Sequence, residues 1–324
     1  MKNIVILALM VLISCQQDQS KVKIIPTTID SLNSISDVEK FIRLKNKDFK
    51  DFNLVTIKNF KRNDERDIVF KRLADSLNVT QSFYKSDIDN NGFTDIIIMG
   101  DNHNCGDYPC VYSTLALMSF GKDSIRTIDF RKGLSHEFGI PKIISENNRQ
   151  FLEFYSPIDL YGDDYKKAKR KYNKVALVYK FDAFIEKNEN PKQYKIQKIE
   201  YETFGCYGSC PIFQLSLNSD YSGKFRAEHF NFEKSFQKGE EGNFSAKIDK
   251  THYNQLVEIL NYIDFPNLKN NYSVGWTDDQ ESKLKITYDN GKTKIISDYG
   301  LVGTYGLTRL HELLSELRHN QQWK

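Results

Sequence analysis

The sequence predicts an α+β protein of two domains, each an antiparallel sheet with helices packed on it. Three observations carry this reading. The 324 residues are 40% hydrophobic and 27% charged, a globular composition, and at about 100–200 residues per domain the length suits two. Most patterned stretches alternate apolar and polar residues as half-buried strands do, while only a few recur at helical spacing. Polar turns separate them. One, Asp289-Asn290-Gly291-Lys292, joins Leu284-Lys-Ile-Thr-Tyr288 to Lys294-Ile-Ile296 and is a strong hairpin signal, because Asn-Gly accepts the positive dihedrals of tight turns. The balance of 46 basic against 43 acidic side chains gives no case for a nucleic-acid binder.

Residues 1–14 read as a leader rather than as part of the fold. Lys2 precedes an unbroken apolar run from Ile4 to Ile13. As a helix this run spans about 15 Å, half a bilayer core, so it has the length of a secretory signal and not of a membrane span. It ends in Leu12-Ile13-Ser14-Cys15, followed by polar Gln16, Gln17, Asp18 and Gln19. This resembles the lipobox of bacterial lipoproteins, and implies lipidation of Cys15, a polar tether over 15–26, and a cell-envelope protein held to the membrane by its lipid. Gln16 in place of Asp after the cysteine implies the outer membrane. Acyl chains contribute roughly 0.8 kcal/mol per buried methylene, so several chains together would hold the protein firmly.

The N-terminal domain is expected over 27–190. Ser36 is a candidate N-cap, with Glu39 three residues on, for a helix to about Lys47. A second helix is expected from Asp64 to Leu77, with Ile68, Phe70, Leu73 and Leu77 inward. Strands are expected at 94–100, 111–120, 124–130, 150–156 and 174–181. The six basic side chains between Lys166 and Lys174 read as a solvated segment, and Asn188-Glu-Asn-Pro191 as the turn into the second domain.

The C-terminal domain is expected over 194–324, in the order strand, Cys-clipped turn, strand, strand, helix, hairpin, helix. Asp249 can cap a helix to Ile263 with Tyr253, Leu256, Val257 and Leu260 at core spacing, and Leu307 to Leu317 forms a last amphipathic helix. Besides Cys15, the cysteines form two close pairs, Cys105 with Cys110 and Cys206 with Cys210. An even count in an exported chain reads as disulfides, and local pairing would clip one loop in each domain. The alternative is a thiol-redox or metal-handling protein working through Cys206 and Cys210. Cys206-Tyr-Gly-Ser-Cys210-Pro211 is similar to the Cys-three-Cys-Pro element of copper-delivering thioredoxin-like proteins, but Ile212 to Leu217 alternates as a strand where that fold requires a helix.

The succession Thr203-Phe-Gly-Cys206-Tyr-Gly-Ser-Cys210-Pro211-Ile-Phe, then Ser222-Gly223-Lys224, then Asp289-Asn290-Gly291-Lys292 resembles the family catalogued as domain of unknown function 6438 over about 195–319. The resemblance implies an exported bacterial protein, in agreement with the leader, and implies no activity.

The best chemical constellation is Asp87-Ile-Asp89-Asn90-Asn91-Gly92-Phe93-Thr94-Asp95. Calcium takes six to eight hard oxygen ligands, which a tight loop supplies from alternate positions. Asp87, Asp89 and Asn91 would offer side-chain oxygens, Phe93 its backbone carbonyl and Asp95 a further carboxylate, with Gly92 at the sharp turn. The twelfth position of an EF-hand is here Ile98, and a strand follows, so the segment resembles the shorter Asp-rich loops of dockerins and integrin-type propeller repeats. The expected role is structural Ca2+. An Asx-turn loop without an ion is the competing reading.

No Gly-x-Ser-x-Gly elbow, His-Glu-x-x-His helix or phosphate loop is present. The histidines are scattered, and His311 and His319 read as surface residues of the last helix. Asp278, Asp279 and Glu281 beside Trp276 read as a solvated loop, and Gly300, Gly303 and Gly306 as turn packing. The expected function is that of a non-catalytic envelope lipoprotein binding a protein or envelope ligand.

Overall fold

The computed structural model describes residues 23–60, 65–102, 112–122, 124–131, 138–158, 162–231 and 241–324. Cys15, Cys105 and Cys110, and with them the leader, the lipidation site and one expected disulfide, lie outside the described residues. Within them the chain is mostly antiparallel sheet, sixteen strands against five α-helices, and so is more sheet-dominated than the expected α+β arrangement. No helix among the described residues is long and apolar enough to cross a membrane.

The first sheet is built from α1 (Ile35–Lys45), β1 (Phe52–Leu54), α2 (Glu65–Ser76), β2 (Phe83–Ser86), β3 (Asp95–Asn102), β4 (Tyr112–Ser119) and β5 (Ile125–Asp129). The strands run β1-β3-β4-β5, with β2 also on β3. Helix α1 starts earlier than its expected cap. Ser34 Oγ accepts the Asp37 N–H at 3.2 Å, and Asp37 Oδ2 accepts the Ser34 N–H at 3.1 Å, a reciprocal capping box. Glu39, expected to close that box, instead accepts the Leu54 N–H at 2.8 Å and ties α1 to β1. In α2 the inward residues are Phe70 and Leu73, with Leu77 just beyond its end packed beside them, whereas Ile68 is 53% exposed.

The second sheet comprises β6 (Ile140–Glu146), β7 (Arg149–Pro157), the short α3 (Gly162–Lys167), β8 (Tyr172–Lys180) and β9 (Ala183–Glu186). It is a four-stranded meander in chain order. Strand β6 was hidden by Pro141, which cannot donate to a ladder and is tolerated because β6 is an edge. One sheet covered by helices was expected here; two sheets are present instead. The reason lies in β3 and β4, whose central residues are buried on both faces. Ile96, Ile98, Leu115 and Leu117 face α1. Ile97, Ala116 and Met118 face the opposite way, toward Leu152, Phe154, Leu177 and Phe184 of the second sheet. An unbroken run such as Ile96-Ile97-Ile98-Met99 requires a layer on each side.

The third sheet holds β10 (Ile196–Thr203), β11 (Ile212–Asn218), β12 (Ser222–His229), β13 (Gly242–Lys247), then α4 (Lys250–Tyr262), β14 (Asn271–Ser273), β15 (Glu281–Tyr288), β16 (Lys292–Tyr299) and α5 (Tyr305–Asn320). Its order is β13-β12-β11-β10-β15-β16-β14, antiparallel except for the β14–β16 pair. Strands β10, β11 and β12 alternate between buried and partly exposed residues. The buried set, including Ile199, Leu215, Phe225 and Leu284, forms one core with Leu256, Leu260, Leu310 and Leu314 of α4 and α5. Asp249 caps α4 by accepting the Thr251 and His252 N–H groups, and Asn290 and Gly291 adopt φ of 66° and 89° in the hairpin turn.

Candidate metal site

The Asp-rich loop runs between β2 and β3. Gly92 takes a φ of 88° and Asn90 of 59°, so the chain reverses tightly and its carboxylates converge. One ligand oxygen each from Asp87, Asp89 and Asp95 lies within 4.8 Å of the others. Asp95 is 0% exposed and Asp87 is also buried. The loop is braced by its own side chains. Asp87 Oδ1 accepts the Asn91 N–H at 2.9 Å and Oδ2 that of Gly92 at 3.0 Å. Asp95 accepts Ile88 N–H on one oxygen and Ser119 N–H on the other, both at 2.8 Å, fastening the loop to the end of β4.

Asn91 is hydrogen-bonded into this carboxylate cluster, its Nδ2 donating to Asp89 Oδ2 at 3.0 Å. Asn91 Oδ1 accepts the Phe93 N–H at 2.8 Å, and Asn91 Nδ2 reaches the Ser119 carbonyl at 2.8 Å. Asn91 is therefore occupied as an Asx-turn brace. The Phe93 ring lies over Gly121, where a Cβ would come within 2.7 Å of it. The electrostatics follow from burial. Asp95 is pushed up to about 7, first by desolvation and then by the charges of Asp89 and Asp87. Asp89 is pushed up to about 6, first by desolvation, with Asp87 adding. Hard carboxylate oxygens clustered at this spacing suit a hard divalent cation, which would offset both costs.

Two further features sit in the third sheet. Cys206 and Cys210 are joined, with Cα atoms 5.7 Å apart. The sequence reading placed His311 on the surface, and the structure corrects this: it is 3% exposed. Its Nε2 donates to Asp298 Oδ2 at 3.1 Å, and its ring stacks on Tyr201 at 5.5 Å. Asp298 is 0% exposed and also accepts the Gly303 N–H at 2.9 Å. Register places Thr203, Ser282 and Asp298 side by side across β10, β15 and β16. They form a buried polar row beneath α5, and a cavity of about 390 Å³ lined by Thr203, Pro211, Gln280 and His311 opens beside it. The spacing carried the signal: His311 is four residues after Leu307 and three before Leu314, on the buried stripe. Asp298 is two after inward Ile296. Trp276 and Asp279 pair in their loop, Nε1 donating to Oδ2 at 2.9 Å.

No curated protein and no solved structure matches the chain. Residues 197–318, from β10 into α5, match the family described as Domain of unknown function (DUF6438).

Proposed function

We propose that this chain is a lipid-anchored cell-envelope protein, a non-catalytic binding or structural component whose Asp87–Asp95 loop holds a structural Ca2+. The observation that carries the cation is the meeting of Asp87, Asp89 and Asp95 oxygens within 4.8 Å around a buried carboxylate. Carboxylates this close repel one another, and Asp89 and Asp95 hold their protons above the usual carboxylate range unless a cation joins them. Asp87, Asp89 and Asp95 would supply side-chain oxygens, and a flexible oxygen cage suits calcium better than the stricter octahedron of magnesium. The anchor rests on the Ser14-Cys15 junction after the apolar run, and the outer membrane on Gln16. The partner would be a protein or another envelope ligand.

Thermal melts with calcium and with chelator test the cation: the midpoint should rise with calcium and fall on chelation. An unchanged midpoint together with no bound metal by elemental analysis would overturn it. Cys15→Ala should release the protein from membranes, and retained association would refute the anchor.

A further inference from the structure

The Cys206–Cys210 turn differs in three ways from a buried staple. The bond spans a sequence separation of only four, so it removes little freedom from the unfolded chain. The turn is also braced without it. Thr203 Oγ1 and Gln280 Nε2 both donate to the Pro211 carbonyl at 2.7 Å, and Gln280 reaches the Phe204 carbonyl at 3.2 Å. The Phe213 N–H donates to Thr203 Oγ1 at 3.1 Å, and the Tyr207 N–H to the Asp278 carbonyl at 3.2 Å. Finally, the turn is open. Tyr207, between the cysteines, is 89% exposed. A methyl group built on Gly208 would meet nothing among its described neighbours within 4 Å except Cys206 Sγ, at 3.8 Å.

A disulfide exchanges when a thiolate can reach one sulfur and the fold survives release of the other. The exposure of Tyr207 and the braces from Thr203 and Gln280 favour both conditions. We propose that Cys206–Cys210 is an exchangeable dithiol–disulfide pair that trades two electrons with a partner carrying a dithiol. One partner thiolate attacks a sulfur of the pair, forming a mixed disulfide and releasing the other sulfur as a thiolate. The partner's second thiolate then breaks the mixed disulfide. The partner leaves oxidised, and Cys206 and Cys210 are left reduced, taking up two protons. The reverse sequence reoxidises the pair. This inference is independent of the cation at the Asp-rich loop.

The test equilibrates the oxidised full chain in glutathione buffers from oxidised to reduced, followed by maleimide trapping and peptide mapping to assign each of the five cysteines. Expected is reversible opening of the Cys206–Cys210 pair in excess reduced glutathione, with a loss in melting midpoint no larger than about 4 °C. A pair that stays oxidised there, or opens only as the protein unfolds, overturns the proposal. In C210S, Cys206 should form a mixed disulfide with oxidised glutathione under native conditions; reaction only in denaturant overturns it. Should C210S fail to fold, the wild-type trapping experiment decides alone.

Discussion

Glu186, the last residue of β9, accepts the backbone N–H of Tyr305 at 2.7 Å through Oε1, while its Oε2 accepts that of Gly306 at 2.8 Å. A strand of the second sheet thus caps the helix that closes the third. The first N–H groups of a helix have no partner within it, and their partial positive charge favours a carboxylate. Arg309 Nε donates to the Phe181 carbonyl at 2.8 Å, and the Tyr305 ring meets Phe154 edge-on at 6.2 Å. Glu186→Ala should therefore cost about 1–2 kcal/mol, read as a lower midpoint in urea unfolding, with Glu186→Gln recovering part of it. Equal stability of Glu186→Ala and wild type would show that the cap is idle.

The raised carboxyl groups of the Asp-rich loop give a pH dependence of definite sign. Asp95, at about 7, and Asp89, at about 6, bind protons more tightly in the folded protein than an ordinary aspartate does at 3.8. The native state then holds more protons than the unfolded one between these values, so stability falls as pH rises from about 4 through about 7. Calcium would replace those protons. Without the ion, the melting midpoint should drop between pH 5 and pH 8, and added calcium should restore it at pH 8 while doing little at pH 5. A calcium response as large at pH 5 as at pH 8 would contradict the linkage.

Packing separates two glycines of the C-terminal sheet region, Gly303 and Gly291. A Cβ at Gly303 would lie 2.6 Å from the Tyr272 ring and 2.9 Å from Asp298 Oδ2, whereas at Gly291 it would meet nothing within 4 Å. Gly303→Ala should cost at least about 2 kcal/mol through overpacking. Gly291→Ala should cost about 1 kcal/mol, because its φ of 89° strains any side chain. Urea midpoints of the two variants order them; the reverse order would mean that β14 and its Tyr272 yield freely.

How much of this was legible in the sequence depends on range. Local signals worked well: the Asp249 cap, the Asn290-Gly291 hairpin and the alternation of β10 and β11 all depend on neighbours in the chain. The convergence of Asp87, Asp89 and Asp95 was legible for the same reason, since eight residues and one glycine fix it. Relations across the fold were not. Nothing near Glu186 announces that it caps a helix beginning at Tyr305, and the second layer over β3 was visible only as an apolar run too long for one face. His311 was misread because a polar side chain on a helix was assigned by its chemistry, when its position on the leucine stripe was the better guide.

That buried histidine supports the last prediction. Asp298 Oδ2 takes hydrogen bonds from both His311 and Gly303, and both the Asp298 and His311 side chains are buried. Removing the carboxylate strands the buried His311 donor and the half-buried Gly303 N–H, and breaking a buried pair from one side costs about 3–5 kcal/mol. Asp298→Ala should therefore destabilise the protein by about that amount. Asp298→Leu with His311→Leu together should cost less than the sum of the single changes, because the double variant leaves no imidazole or carboxylate unpaired. Urea unfolding of the singles and the double closes the cycle. Strict additivity would mean that His311 and Asp298 are held independently, each by the surrounding core.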